Sequence, residues 1–141
     1  MKVLIGVDGS ETCLRAVNYV LEHAEVFGVS PEITLVAVHL PVPSPRARAW
    51  VGHDVLQQYY DDESNEALAG ARAAIKAKGR TAKELMLVGD PASEIAKAAK
   101  DAGARMIVLG THGRSALSTL VMGSVASKVL AQASVPVLLV K

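Results

Sequence analysis

The stretch Gly110-Thr111-His112-Gly113-Arg114, followed after eight residues by Gly123-Ser124-Val125, gathers the residue types that hold anions. Glycines let backbone N–H groups approach an anion closely and tolerate positive φ. A helix opening at Gly123-Ser124 would add unpaired amides and the positive end of its dipole. Ser124 brings a hydroxyl, and Arg114 a guanidinium suited to clamping a phosphate. The pattern is not the common phosphate loop, because no Gly-x4-Gly-Lys-Ser/Thr occurs, and Gly6-Val7-Asp8-Gly9 departs from the dinucleotide fingerprint. On residue types alone, an anion cradle and a glycine-rich connection stand about even.

Asp8 is the other candidate. It follows an apolar run at the point where a strand should end, and in open α/β sheets ligands gather beyond the carboxyl ends of strands. The remaining polar residues read more plainly. Cys13 falls on an apolar helical stripe and is expected to be a buried structural thiol. His23, His39, His53 and His112 lack metal-ligand spacing, and His112 reads as an exposed loop histidine beside the candidate site. Asp61-Asp62-Glu63 reads as a solvated patch. Arg46, Arg48 and Trp50 have the chemistry to stack on a base, but an ordinary surface loop is the expectation.

These residues need a scaffold. Five apolar runs, Val3 to Val7, Ile33 to Leu40, Glu84 to Val88, Met106 to Leu109 and Val135 to Val140, are nearly continuous, as strands covered on both faces are. Helical periodicity lies between them, over about 10–27, 54–78, 92–102 and 123–133. Ser10 is expected as a start signal and Gly28 as a stop. Strand–helix alternation of this kind predicts a parallel sheet with right-handed crossovers, a doubly wound α/β fold. The stretch from Pro41 to Gly52, with three prolines, is expected to be a surface loop that could lie over the site.

Composition narrows the classes further. A chain of 141 residues fits one domain, and half of its residues are apolar while only 4% are aromatic. The formal net charge of +1, with basic residues scattered, leaves no footprint for nucleic acid. A single cysteine suits a reducing compartment, and no secretory or membrane-spanning run is visible, so a cytoplasmic location is expected.

In spacing and order the chain resembles the ATP-binding branch of the universal stress protein family. Gly110-x2-Gly113-x9-Gly123-Ser124 is similar to that branch's glycine motif. Val3-Leu4-Ile5-Gly6-Val7-Asp8-Gly9-Ser10 resembles its first strand, Gly89-Asp90-Pro91-Ala92 its turn before the third helix, and Val135 to Val140 its closing strand. The likeness covers residues 1–141 as one domain. It implies a Rossmann-like five-stranded parallel sheet of order 3-2-1-4-5 with helices on both faces. It also implies an ATP site (ADP or AMP being alternatives), with Mg²⁺ carried on the phosphates. Asp8 would meet the ribose hydroxyls or a metal-bound phosphate, and Gly6 and Val38 the nucleoside. Gly110 and Gly113 would line ribose and phosphates, and Gly123, Ser124 and Val125 would offer amides to the terminal phosphates. Val38 departs from the pattern: relatives often carry His-Val where this chain has Ala37-Val38, with His39 one place later. The resemblance further implies a homodimer through the closing edge strand. A regulatory stress-response module with at most slow ATP hydrolysis fits best, since no general base or nucleophile is evident. An ATP-using hydrolase or transferase on the same fold, and a nucleotide-free interaction module, are the alternatives.

Overall fold

The structure is a computed structural model, and it describes residues 1–113 and 122–141. The strands are β1 (Lys2–Gly6), β2 (Glu32–His39), β3 (Ala82–Val88), β4 (Met106–Gly110) and β5 (Val137–Val140). They form one parallel sheet of order β3-β2-β1-β4-β5. The helices are α1 (Glu11–Glu22), α2 (Pro45–Val51), α3 (His53–Ala77), α4 (Pro91–Asp101) and α5 (Ser124–Gln132). The expected fold class is the one observed. No helix among the described residues is long and apolar enough to cross a membrane.

Side chains alternate across each strand, so neighbours in sequence serve opposite cores. Val3 and Ile5 of β1 pack with Val17, Val20, Phe27, Leu68 and Ile75 from the α1–α3 side. Leu4, between them, packs with Ile95, Ala98, Ala99 and Val129 from the α4–α5 side. Each large aliphatic side chain fully buried in this way contributes roughly 1.5–3 kcal/mol. The α4–α5 layer is rich in alanine, which lets its helices lie close to the sheet.

Two local expectations are corrected. α1 ends at Glu22 rather than running to Phe27. His23 leaves helical geometry, its ring stacks on Tyr19, and its Nδ1 lies 3.0 Å from the Tyr19 carbonyl. The chain continues as a 3₁₀ turn, Ala24–Phe27, which keeps Phe27 buried, and stops at Gly28 with φ +86°. The stretch from Pro41 to Gly52 is not irregular throughout, because it contains α2. Ser44 caps that helix by accepting the Ala47 N–H at 3.2 Å, and Pro45 sits in its first turn, where a missing N–H costs nothing.

Candidate functional site

β1 and β4 lie side by side at the centre of the sheet, while their following helices, α1 and α5, go to opposite faces. This is the switch point of the strand order, where a crevice opens beyond the strand ends. A cavity of about 460 Å³ occupies it. Gly6, Asp8, Val38, Gly110, Gly113, Gly123, Ser124 and Val125 all line this cavity, so eight expected site residues from four separate segments meet there. Arg114, the ninth, lies outside the described residues. Residues 41–52 do not line the cavity, and Trp50 is 90% exposed on α2.

Asp8 is half-buried. Its Oδ1 accepts the Ser10 N–H at 2.9 Å, which fixes the carboxylate at the strand end. Its Oδ2 lies 3.0 Å from where a Cβ on Gly113 would stand, so the glycine leaves that oxygen open towards the cavity. Ser10 in turn caps α1, accepting the Cys13 N–H at 3.2 Å.

The glycines act differently from the expectation. Gly110, Gly113 and Gly123 do not need positive φ; the residues that adopt it include Gly9 but none of these three. All three make close approaches instead, and the approach strictly demands glycine at Gly110. A Cβ on Gly110 would stand 2.6 Å from Thr12 Oγ1 and 2.8 Å from the Cys13 nitrogen, so β4 reaches the start of α1 only without a side chain.

A second correction concerns the amides. The Gly123 N–H is not available to a ligand, because it donates to the Thr111 carbonyl at 2.7 Å. The first amides of α5, on Ser124 and Val125, have no intrahelical acceptor, and no side chain caps this helix. Ser124 and Val125 are both exposed to the cavity mouth.

His112 is half-buried rather than exposed. Its Nδ1 lies 2.8 Å from Thr111 Oγ1, and its Nε2 is buried with no partner among the described residues. The residue also lines the cavity, as do Thr111 and Met122, which residue types alone did not single out. Cys13 is buried against the same space, and that burial pushes its thiol above the ordinary range, with the Asp8 carboxylate adding to the shift. A neutral thiol with this placement packs rather than reacts. His39, one place after Val38, faces Glu63 at 3.7 Å. No group of three His, Cys, Asp or Glu side chains that could hold a metal occurs among the described residues.

The arrangement combines one open carboxylate oxygen, an apolar wall that includes Val38 and Ile95, and a helix start whose first amides have no partner among the described residues. A carboxylate can accept from a sugar's hydroxyls, an apolar wall can hold a planar base, and helix amides can hold a phosphate.

Comparison with known proteins agrees with this geometry. A family model described as the universal stress protein family matches residues 1–141. Universal stress protein MJ0531 of Methanocaldococcus jannaschii is 33% identical over 141 residues, covering 99% of this chain and 81% of that protein. A crystal structure of a universal stress protein in complex with cAMP superposes with a TM-score of 0.71 at 28% identity, covering 100% of this chain and 97% of that one. The universal stress protein from Archaeoglobus fulgidus in complex with dAMP gives 0.67 at 25% identity, covering 100% and 98%.

Proposed function

We propose an adenine-nucleotide-binding function for this chain, which belongs to the universal stress protein family. The observation that carries the proposal is that a single cavity joins the Asp8 carboxylate to the uncapped start of α5. A volume of about 460 Å³ falls within the range of small-molecule sites. The cAMP and dAMP complexes of similar proteins favour adenine as the base.

In this reading Asp8 Oδ2 accepts from the ribose hydroxyls, while Gly6 and Val38 bound the nucleoside. Gly110 and Gly113 keep the ribose and first phosphate close to the backbone. Ser124 and Val125 donate their amides to phosphate oxygens, and the Ser124 hydroxyl adds a further donor; Gly123 keeps the approach open. ATP is the proposed form, and Mg²⁺ would arrive on its phosphates. Asp8 is the one carboxylate lining the cavity among the described residues, too few to hold the metal by protein ligands alone. With that carboxylate already holding the Ser10 amide, the role is binding and regulation in the cytoplasm, with at most slow hydrolysis.

The test is mass spectrometry of whatever small molecule co-purifies, followed by calorimetry with ATP, ADP and AMP. An adenine nucleotide bound at one site per chain is the expected result; no bound nucleotide and no heat with any of the three would overturn the proposal. Turnover on a timescale of seconds would favour the enzyme reading instead.

The same proposal extends to assembly. β5 lies at the edge of the sheet, and its four residues Val137 to Val140 are half-buried and apolar. A second copy pairing with that edge would cover a row of unpaired backbone groups. Light scattering at micromolar concentration should give a dimer mass, and a monomer would remove this extension while leaving the nucleotide site standing.

A further inference from the structure

We infer that Thr12 is a positioning residue for the phosphate end of the cavity, an inference that rests on the nucleotide reading above. Thr12 stands in the first turn of α1, and its hydroxyl donates to the carbonyl of His112, one hundred residues further along the chain.

The proton directions around it are fixed. A carbonyl only accepts, so the single Thr12 hydroxyl proton goes to His112. The Ser10 and Thr12 hydroxyl oxygens are 3.4 Å apart, and in that long contact Ser10 must therefore donate. Ser10 Oγ is free to do so, because its other contact is as an acceptor from the Cys13 N–H. The result is a directional chain from Cys13 N–H through Ser10 and Thr12 to the His112 carbonyl.

From His112 the constraint reaches α5. The Thr111 side chain meets the His112 ring at 2.8 Å, the Thr111 N–H donates to Val140 at 2.9 Å, and the Thr111 carbonyl accepts the Gly123 N–H at 2.7 Å. Residues 111 and 112 are thus held from three directions: by α1 through Thr12, by β5 through Val140, and by the α5 cap through Gly123. The close fit of Gly110 against Thr12 and Cys13 shows the same contact from the opposite side. Of the three anchors, only the Thr12 hydroxyl is a side chain that can be removed singly without breaking a backbone ladder. Asp8 follows β1, and its carboxylate is held by the backbone N–H of Ser10 rather than by the Thr12 hydroxyl. Thr12 therefore sets where the α5 amides lie relative to Asp8, which is the spacing between phosphate and ribose sites.

A residue acting in this way should affect ligands with a phosphate and spare those without one. The experiment compares AMP with adenosine by calorimetry on the wild type, Thr12→Val and Thr12→Ser, with melting curves for each. Thr12→Val keeps the shape and deletes the hydroxyl, and should weaken AMP by about tenfold while adenosine changes by less than about twofold. Thr12→Ser should return AMP affinity close to that of wild type. Equal weakening of AMP and adenosine, or a Thr12→Ser variant no better than Thr12→Val, would overturn the inference and leave the nucleotide reading intact. A wild type that binds neither ligand would overturn the nucleotide reading and this inference with it. If Thr12→Val does not fold, Thr12→Ala replaces it, with the same AMP-against-adenosine split required.

Discussion

α4 and α5 begin at the same end of the sheet, pack against each other on one face, and treat their first amides in opposite ways. At α4, Asp90 Oδ2 accepts both the Ser93 N–H at 3.0 Å and the Ser93 hydroxyl at 2.8 Å, and Pro91 has no N–H to satisfy. That helix start is capped by a side chain of the protein. At α5, Gly123 offers no side chain, and the amides of Ser124 and Val125 border the cavity. A missing cap is not enough by itself to mark a site, since α3 also begins without a side-chain cap, at Gly52. Gly52 is exposed, where water can serve the amides. What distinguishes α5 is that its open start faces a cavity that Asp8 also lines.

The sharpest way to break the comparison is to give α5 the cap that α4 has. Gly123 adopts φ −60° and ψ 152°, extended backbone that any residue can take. A Cβ there would stand 3.1 Å from the Thr111 carbonyl, so a few tenths of an ångström of adjustment admits it. Gly123→Asp should cap the helix with its own carboxylate and set a negative charge where the phosphate is proposed to lie. Like charges in such contact cost several kcal/mol, so AMP and ATP affinity should fall by at least about a hundredfold. Calorimetry reads the loss, and unchanged affinity in a folded Gly123→Asp protein would remove α5 from the site.

A smaller effect is expected at the Asp8 carboxylate. Asp8→Asn keeps an oxygen able to accept the Ser10 N–H but removes the charge from the ribose contact. Hydrogen bonds to charged groups contribute about 1.5–3 kcal/mol, so affinity should fall by about ten- to a hundredfold. Because the ribose is common to both ligands, adenosine and AMP should weaken together, the opposite of the pattern expected for Thr12. Loss for AMP alone would move Asp8 from the ribose to the phosphates.

How far these features could be read beforehand depended on the range of the interactions behind them. The parallel, doubly wound class followed from apolar runs alternating with helical periods, because burial on both faces imposes that pattern on the central strands; the strand order came from the family resemblance. The Ser10 cap was legible as a residue type beside a helical stripe. The helix at Pro45–Val51 was hidden by three prolines, although Ser44-Pro45 is itself a start signal, since Pro is accommodated at a first turn. The three glycines that line the cavity were singled out as residues, but their packing was not visible: close approach to Thr12, Asp8 and Thr111 is a fact of tertiary structure. The same holds for the Gly123 amide, taken by Thr111, and for the Thr12–His112 contact across one hundred residues. No local pattern encodes a partner that distant. Val38, preceded by Ala37 where the family pattern has a histidine, reaches the cavity on β2, whose register beside β1 holds through Gly6 and Val36.

The smallest effect belongs to the side-chain-capped start of α4 and serves as the control for the open one. The amide and hydroxyl of Ser93 hold the Asp90 carboxyl below the ordinary carboxylate range, with Lys128 adding a minor attraction. A carboxyl whose pKa is lower in the folded chain stabilises fully above its unfolded value of about 3.9, and that contribution is lost as pH falls through the folded value. Asp90→Ala should therefore lower the melting temperature by a few degrees at pH 7, as loss of a helix cap does. The gap between variant and wild type should stay constant down to about pH 4 and close below it, as the wild-type carboxylate takes up its proton. Nucleotide affinity at pH 7 should not change, because Asp90 bonds only within its own turn and does not line the cavity. A melting difference that persists undiminished well below pH 4 would mean that Asp90 acts through packing rather than charge. A drop in affinity would mean that the two helix starts are coupled, and the contrast between a closed and an open start would then fail.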